Sequence, residues 1–528
     1  MQFNQNIIKV MPLLGTIIKK SIELKQENIV SDNSTHTKEQ VRVLRRLLRK
    51  AAHTQYGKHY NFSEILSCRK PEAMLEMFRK NVPLNDYDTM HTEWWYKCLE
   101  GTENVTWPGK VKKFALSSGT SGASSKYIPV TQDMIKQIRK TSIKEIFNLA
   151  KFDLDPTIFT KGALMLGGST ALNFNGIYYE GDLSGITTRN IPFWFQKFYY
   201  PGKEISKEKD WTKKIDQIVA KAPEWDIAAI VGVPSWFQIL FERIIQTYNL
   251  KNIHEMWPNL KIFIHGGVSF KPYKTGFEKL LAHPLHYMET YLASEGFLAL
   301  QNEPNVDTMQ LVTNNKIFFE FLPFNEDNFD ENGNAKRDAK TLLLNEVKVD
   351  ETYALVLSSC SGAWRYLIGD TIKFTNIDTC EIHITGRTKH FLSICGEHLS
   401  QENMNMAIER MGKELNVNIK EFTVAGIKHS KMFAHHWYIG SDDIIDPKKA
   451  KESIDKHLKI LNDDYRTERI AAINELFITI LPSNVFYDYM KQTGKLGAQF
   501  KFPRVLKGNK LTEWENYLSS NNIEFNKI

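Results

Sequence analysis

Apolar residues early in the chain recur at helical spacing. In "RVLRRLLRK", residues 42–50, Val43, Leu44, Leu47 and Leu48 share one face and basic residues fill the other. An apolar stripe of this width predicts an amphipathic helix over 38–52 with a solvated basic face, and the pattern returns over 71–80. The first 110 or so residues therefore read as mainly helical. Beyond them the pattern changes. Short unbroken apolar runs, "GALMLGG" at 162–168, "DIAAIVGVP" at 226–234 and "KIFIHGG" at 261–267, end in glycine or proline, with helical stretches over 211–221 and 236–248 between them. Unbroken runs are what strands covered on both faces require, and the intervening helices supply the crossovers. The prediction is an α/β fold in which ligands lie beyond the carboxyl ends of the strands.

The N-terminal "MQFNQNIIKVMPLLGTIIKK" resembles a signal peptide, but Lys9 interrupts its apolar run and no small-x-small cleavage site follows. It reads as a helix packing on the body. No stretch approaches 18 uncharged apolar residues, so no membrane partner is expected.

Composition narrows the class. The chain has 528 residues, 42% hydrophobic and 24% charged, enough for two or three domains and a large core. Its net charge of +7 arises from 68 basic and 61 acidic residues spread along the chain, which argues against nucleic acid as a partner. The five cysteines, Cys68, Cys98, Cys360, Cys380 and Cys395, form no C-x-x-C pair and cannot all pair with one another; a reduced, cytoplasmic setting is expected. No H-E-x-x-H spacing occurs, and the adjacent His435 and His436 point in different directions on either regular element, so no zinc site is expected.

Four stretches carry candidate chemistry. "SSGTSGASSK", residues 117–126, follows an apolar run over 111–116 and precedes a strand-like run over 127–130. Serine and glycine at this density make either a flexible surface loop or a phosphate cradle, in which backbone N–H groups, hydroxyls and Lys126 converge on an anion. In "IHGGVSF", 264–270, Gly266 and Gly267 end a strand and make either a tight turn or a close approach for a flat ring. "METYLASEGF", 288–297, brings Tyr291, Ser294 and Glu295 together, as a Mg²⁺ site or as a helix start capped by Ser294. "GAWRYLIGDTIKF", 362–374, has Arg365 and Asp370 flanking a strand-like core. A carboxylate at a strand end is suited to two ribose hydroxyls, and is also a common turn residue.

Taken in order, these stretches resemble the auxin-responsive acyl acid–amido synthetase family, which joins jasmonate-, indoleacetate- or benzoate-type acids to amino acids and belongs to the adenylate-forming, luciferase-like superfamily. Ser117 to Lys126 match its first nucleotide motif and Tyr291 to Glu295 its second. Trp364 to Asp370 match its third, with Trp364 in place of a tyrosine. "MWPNLKIF" at 256–263, "FFEFLPF" at 318–324 and "QFKFPR" at 499–504 also read like the family, so the resemblance runs from about residue 110 to 505.

The resemblance implies a two-step reaction. A carboxylate attacks the α-phosphate of ATP, releasing pyrophosphate, and an amine then attacks the acyl-adenylate and expels AMP. Transferred residue by residue, it implies that Ser117, Ser118, Gly119, Thr120, Ser121 and Lys126 hold the phosphates. Thr290 and Tyr291 flank the adenine and α-phosphate, with Ser294 beside them, and Glu295 holds Mg²⁺. Gly267 lies near the adenine, Asp370 binds the ribose, and Arg387 contacts ribose or phosphate. Catalysis falls to Thr120, Glu295 and Lys501, with Lys495 the alternative to Lys501. The implied architecture is a large domain of mixed and parallel sheets with flanking helices, residues 1–396, and a small mobile α+β domain, 397–528. The hinge is expected at 393–400 about Gly396, where His398 replaces the family's lysine. Candidate walls for the acid are the helix over 132–149 and the aromatic segment 191–202; Glu145 lies near the position expected for a carboxylate-binding arginine. The expected partners are a small carboxylic acid and an amino acid, the expected state a monomer. An acyl-coenzyme A ligase and an inactive nucleotide-binding relative are the alternatives. The loop lacks the G-x-x-x-x-G-K-[ST] spacing, which removes support for kinase chemistry.

Overall fold

The computed structural model describes residues 20, 33–117, 126–152, 154–189, 191, 195–267, 269–330, 333–388, 392, 397, 399–429, 432–462, 465, 466, 468, 469, 473–493, 502–523 and 525. The expected N-terminal helix and the pivot at Gly396 lie outside them, as do Ser118 to Ser121, His398, Lys495 and Lys501.

Helix α1 (Asn33–Ala51) turns Val43, Leu44, Leu47 and Leu48 into the core, and α2 (Pro71–Asn81) begins on a proline, whose missing N–H is harmless at a first turn. Strands β1 (Lys113–Ser117) and β2 (Lys126–Pro129) pair antiparallel, so that Ser117 faces Lys126 across the ladder and the two bracket the serine-rich segment. Helix α3 (Gln132–Asn148) follows, capped by the Thr131 hydroxyl, which accepts from the Met134 amide.

The predicted parallel strands form as β3 (Gly162–Leu166), β4 (Ile227–Gly232) and β5 (Ile262–Gly266), and β6 (His286–Ala293), which the sequence reading did not assign, pairs parallel with β5. Helices α4 (Trp211–Lys221), α5 (Pro234–Tyr248) and α6 (Lys271–Glu278) supply the crossovers. The chain then turns antiparallel through β7 (Gly296–Leu300), β8 (Met309–Leu311), β9 (Ile317–Pro323), β10 (Thr352–Ser359), β11 (Tyr366–Asn376) and β12 (Glu381–Arg387). All lie in one eleven-stranded sheet of order β9-β10-β11-β12-β8-β7-β6-β5-β4-β3, closed by the short strand Tyr199–Tyr200. The sheet is buried on both faces, as its unbroken apolar runs require. Phe263 packs with α4, α5 and α6, while its neighbours Ile262 and Ile264 pack with Leu149 at the end of α3.

The C-terminal region consists of α7 (Gln401–Leu415), β13 (Glu421–His429), β14 (Met432–Gly440), α8 (Pro447–Leu461), β15 (Ile473–Leu481) and β16 (Val505–Leu506). Its four-stranded sheet, of order β15-β14-β13-β16, has a core of its own that begins at Leu392. His435 and His436 take opposite sides of β14, toward Glu397 at 3.0 Å and Thr479 at 2.8 Å. Lys420 reaches Glu242 of α5 at 2.8 Å, and Gly276 of α6 meets Asn418 so closely that no β-carbon fits between them. No described helix is long and apolar enough to cross a membrane.

Candidate functional site

Strands β6 and β7 form a hairpin in which Ala293 pairs with Gly296, leaving Ser294 and Glu295 as its two-residue turn. The helix start considered for this segment does not occur. Tyr287, Tyr291 and Leu292 favour a half-buried strand, and Gly296 supplies the positive φ of 151° that the strand entry takes. Asp370 lies within β11 rather than at a strand end, directly opposite Arg387 of β12.

Three separated stretches meet here. The Tyr291 hydroxyl donates to Asp370 Oδ2 at 2.6 Å, and Arg387 Nε donates to Asp370 Oδ1 at 2.7 Å. Glu295 stands beside this pair. Burial, reinforced by the Asp370 charge, pushes its carboxyl up to about 7, while Arg387 and Lys126 oppose the shift. Burial and the adjoining Asp370 carboxylate raise the Tyr291 phenol, which therefore stays protonated as a donor. Asp370 raises the Arg387 guanidinium. A second carboxylate at this spot is the costly element, since two buried like charges disfavour one another.

Ser117, Gly267, Thr290, Tyr291, Ser294, Glu295, Asp370 and Arg387 all line one cavity of about 1320 Å³. Lys126 lies across the ladder from Ser117, with its ammonium 5.2 Å above the Tyr87 ring and close enough to Glu295 to favour the ionised carboxylate. Among the described residues no cluster of three or more His, Cys, Asp or Glu side chains is arranged to hold a metal ion. Glu295 alone suits Mg²⁺, which binds through one or two carboxylates and completes its shell from phosphates and water.

Several expectations are corrected. Arg365 takes no part in the cavity. It forms a buried pair with Glu320 at 3.0 Å through both Nε and Nη2. Trp364, the departure from the third motif, is fully buried and donates to the Thr106 carbonyl, stacking near Tyr56. Of the two candidate acid walls, no described residue of 191–202 or of 132–149 lines the cavity. Tyr199 and Tyr200 instead pack at the sheet edge, against Ser206 and Trp225. The apolar lining includes Leu116, Leu166, Leu183, Val231 and Trp236.

A polar compartment escaped the sequence reading. His265 and Glu289 are register partners on β5 and β6 and line the cavity with Lys271 of α6. Burial pushes His265 down to about 4 and Glu289 up to about 7. The signal was present in the period-two alternation: Tyr287, Glu289 and Tyr291 occupy one face, so a charge at an inward position marks the site. From the C-terminal region Gln401, Asn405, Arg410 and Arg504 complete the lining.

Comparison with known proteins gives a coherent picture. The GH3 family matches in three parts: its N-terminal domain over residues 25–165 and 140–285, its central domain over 310–387 and its C-terminal domain over 402–510. The chain is 21% identical to jasmonoyl–L-amino acid synthetase JAR4 of Nicotiana attenuata, over 96% of this chain and 98% of that one. It is 22% identical to indole-3-acetic acid-amido synthetase GH3.4 of Arabidopsis thaliana, over 88% and 89%. A match to jasmonoyl–L-amino acid synthetase GH3.5 of Oryza sativa subsp. japonica, 24% identical, spans 52% of this chain and about half, 48%, of that protein. Among solved structures, a GH3.15 acyl acid amido synthetase superposes with a TM-score of 0.73 at 16% identity, covering 93% of this chain and 97% of that one. A 2-hydroxyisobutyryl-CoA ligase in the postadenylation state, in complex with 2-HIB-AMP, superposes with 0.58 at 13%, covering 92% and 91%. At these identities the structural likeness shows a shared fold.

Proposed function

The chain belongs to the GH3 family, and from that premise we propose that it is an ATP-dependent acyl acid–amido synthetase, which adenylates a small carboxylic acid and passes the acyl group to an amino acid amine. The observation that carries this reading is the junction of Tyr291, Glu295, Asp370 and Arg387 with Ser117 in one cavity, Lys126 standing across the ladder from Ser117.

Each element has a chemical task. Asp370 is oriented by its bonds to Tyr291 and Arg387, and each of its oxygens retains accepting capacity for a ribose hydroxyl. Ser117, Lys126 and the segment between them supply donors and positive charge to the phosphates. Glu295 would hold Mg²⁺, which neutralises phosphate charge when bound. Two anions, the substrate carboxylate and the α-phosphate, must approach within bonding distance, so fixed positive charge is the main requirement of the first step. Lys501, in the family-like "QFKFPR", would bring a further cation from the C-terminal region.

A C-terminal region with a core of its own supports a division near 396/397, with the pivot at 393–400. One active site then serves two half-reactions by exchanging what the C-terminal region presents.

The test is ATP–pyrophosphate exchange across a panel of carboxylic acids, followed by mass analysis with amino acids or coenzyme A added. Exchange with an amide product is expected. A thioester product would move the chain to the coenzyme A ligases, and ATP binding without exchange for any acid would mark it as an inactive relative.

A further inference from the structure

The C-terminal region also meets the body through residues that do not line the cavity. Between α7 and β13 the chain is pinned to its own region: the Asn418 amide N–H donates to Asp443 Oδ2 at 2.6 Å, the Asn418 carbonyl accepts from the Ser441 hydroxyl at 2.7 Å, and the Lys420 N–H donates to the Gly440 carbonyl at 2.9 Å. From this fixed segment two side chains reach the body. The Lys420 ammonium, 19% exposed, lies 2.8 Å from Glu242 Oε1 of α5. The Asn418 side chain rests on Gly276 of α6, where a β-carbon would lie only 2.0 Å from Asn418 Oδ1.

What this contact controls follows from the strand it precedes. Lys420 stands immediately before β13, and β13 carries the segment that follows Lys501. Thr423 Oγ1 donates to the Pro503 carbonyl at 2.7 Å, the Val424 N–H donates to the Arg504 carbonyl at 3.0 Å, and Arg504 Nη1 donates to the Phe422 carbonyl at 2.8 Å. Phe502, Pro503 and Arg504 line the cavity that holds Tyr291 and Asp370. A shift at Lys420 therefore reaches the cavity within a few residues of strand.

The contact combines a part that holds with a part that releases. Lys420 stands between Glu242 on the body and Asp442, 3.1 Å away on its own region, so its ammonium keeps a carboxylate when the two parts separate. Glu242 likewise keeps Gln238 of α5, at 3.1 Å. Opening the pair leaves neither charge alone, which removes the main penalty for breaking it. Asn418 Oδ1, by contrast, is buried with no hydrogen-bond partner among the described residues. An acceptor shut off from water without a donor opposes the docked arrangement.

Building on the synthetase reading and on the division near 396/397, we propose that Lys420 and Asn418 are positioning residues: they form a reversible docking contact with Glu242 and Gly276 that sets 502–504 over the nucleotide for adenylation and opens for acyl transfer. An ion pair that draws the parts together and an orphaned carbonyl that drives them apart keep two arrangements close in free energy, so that each is visited in every turnover.

Two partial reactions separate the arrangements: ATP–pyrophosphate exchange with benzoate, indole-3-acetate or jasmonate, and amide formation from the synthetic adenylates of the same acids with a mixture of amino acids. Glu242→Lys, which turns attraction into repulsion, is expected to lower exchange about tenfold, the scale of one hydrogen bond to a charged group, with transfer retained. Gly276→Ala wedges the contact and does the same, although alanine favours the helix it enters. Removing the Asn418 side chain makes room for the added methyl, so Gly276→Ala combined with Asn418→Ala recovers exchange. Asn418→Ala alone deletes the orphaned carbonyl; exchange is retained and transfer falls about fivefold. X-ray scattering of the same proteins without any acid follows the arrangement itself: Glu242→Lys and Gly276→Ala are more extended than the native protein, and the double variant returns to the native profile. Should Gly276→Ala fail to fold, Glu242→Lys and Asn418→Ala decide the matter. Equal losses in both partial reactions, native exchange in Glu242→Lys, no recovery in the double variant, or native transfer in Asn418→Ala overturns the proposal. An extended profile in Glu242→Lys without exchange or transfer for any acid sinks the synthetase and leaves the docking contact. Exchange that the variants do not alter does the reverse, and native profiles throughout without exchange sink both.

Discussion

Arg365 and Asp370 lie on one short stretch, "RYLIGD", yet their charges do different work. All five guanidinium N–H groups of Arg365 are engaged: with both oxygens of Glu320 at 3.0 Å, the Thr341 hydroxyl at 2.9 Å, and the carbonyls of Arg79 at 3.0 Å and Val82 at 2.8 Å. Glu320 also accepts from Arg79 and Thr341. Arg365 has no N–H left to offer a ligand. Asp370, by contrast, accepts a single bond on each oxygen, faces a cavity, and has Glu295 as an unfavourable neighbour. A buried charge with every bond made holds elements together; one with spare lone pairs and a repelling partner is arranged for a ligand.

The largest test of this contrast is Arg365→Ala. It leaves Glu320 without its main partner at 1% exposure, and a loss of roughly 3–5 kcal/mol in urea unfolding is expected. Asp370→Asn is expected to cost roughly 1–2 kcal/mol in the same assay, because Arg387 retains access to the cavity. Equal losses would erase the distinction between the two ends.

Next in size are Glu295→Ala and Lys501→Ala, each expected to lower ATP–pyrophosphate exchange by about 100-fold, the scale of one electrostatic stabiliser. Exchange at the native rate in both would remove these residues from the site even with the family assignment intact.

The pH dependence of stability sharpens the picture further. Glu295 has its carboxyl raised from 4.5 to about 7, so between those values the folded chain keeps a proton that the unfolded chain has released. Its contribution to stability therefore falls as pH rises through that window, by an amount on the order of 2 kcal/mol. Glu295→Gln is expected to flatten this part of the curve, measured as urea unfolding at about pH 5 and pH 7.5. Glu145 and Glu289 act with the same sign and keep the remainder of the slope. An unchanged slope in the variant would place the proton elsewhere.

The smallest expected effect belongs to Tyr291→Phe. Removing the 2.6 Å bond to Asp370 should weaken nucleotide binding about tenfold or less, by calorimetry, with little change in unfolding. A large stability loss would make the Tyr291–Asp370 contact resemble the Arg365 network.

Much of this was readable from the chain. The change from helical spacing at Val43, Leu44, Leu47 and Leu48 to unbroken runs such as 227–232 announced helices followed by a doubly covered sheet. Those elements formed because local periodicity and burial agree there. Tyr291, Glu295 and Asp370 were marked as candidates by residue type and by their likeness to a known family. Arg365, flagged beside Asp370, proved structural, since its partner Glu320 lies 45 positions away and only strand pairing between β9, β10 and β11 brings the two together. The aromatic segment 191–202 was an equally natural wall, but strand order put its Tyr199 and Tyr200 at the sheet edge.

Residue type and local period alone pointed to an α/β body, a serine-rich segment suited either to a plain loop or to an anion, and a set of carboxylates with chemistry to offer. Which carboxylates share a cavity, which arginine is spent on structure, and whether Glu145 is an acid or an anion depended on long-range pairing. Proton affinity and hydrogen-bond saturation are properties of surroundings, and surroundings come into being only when distant strands close on one another.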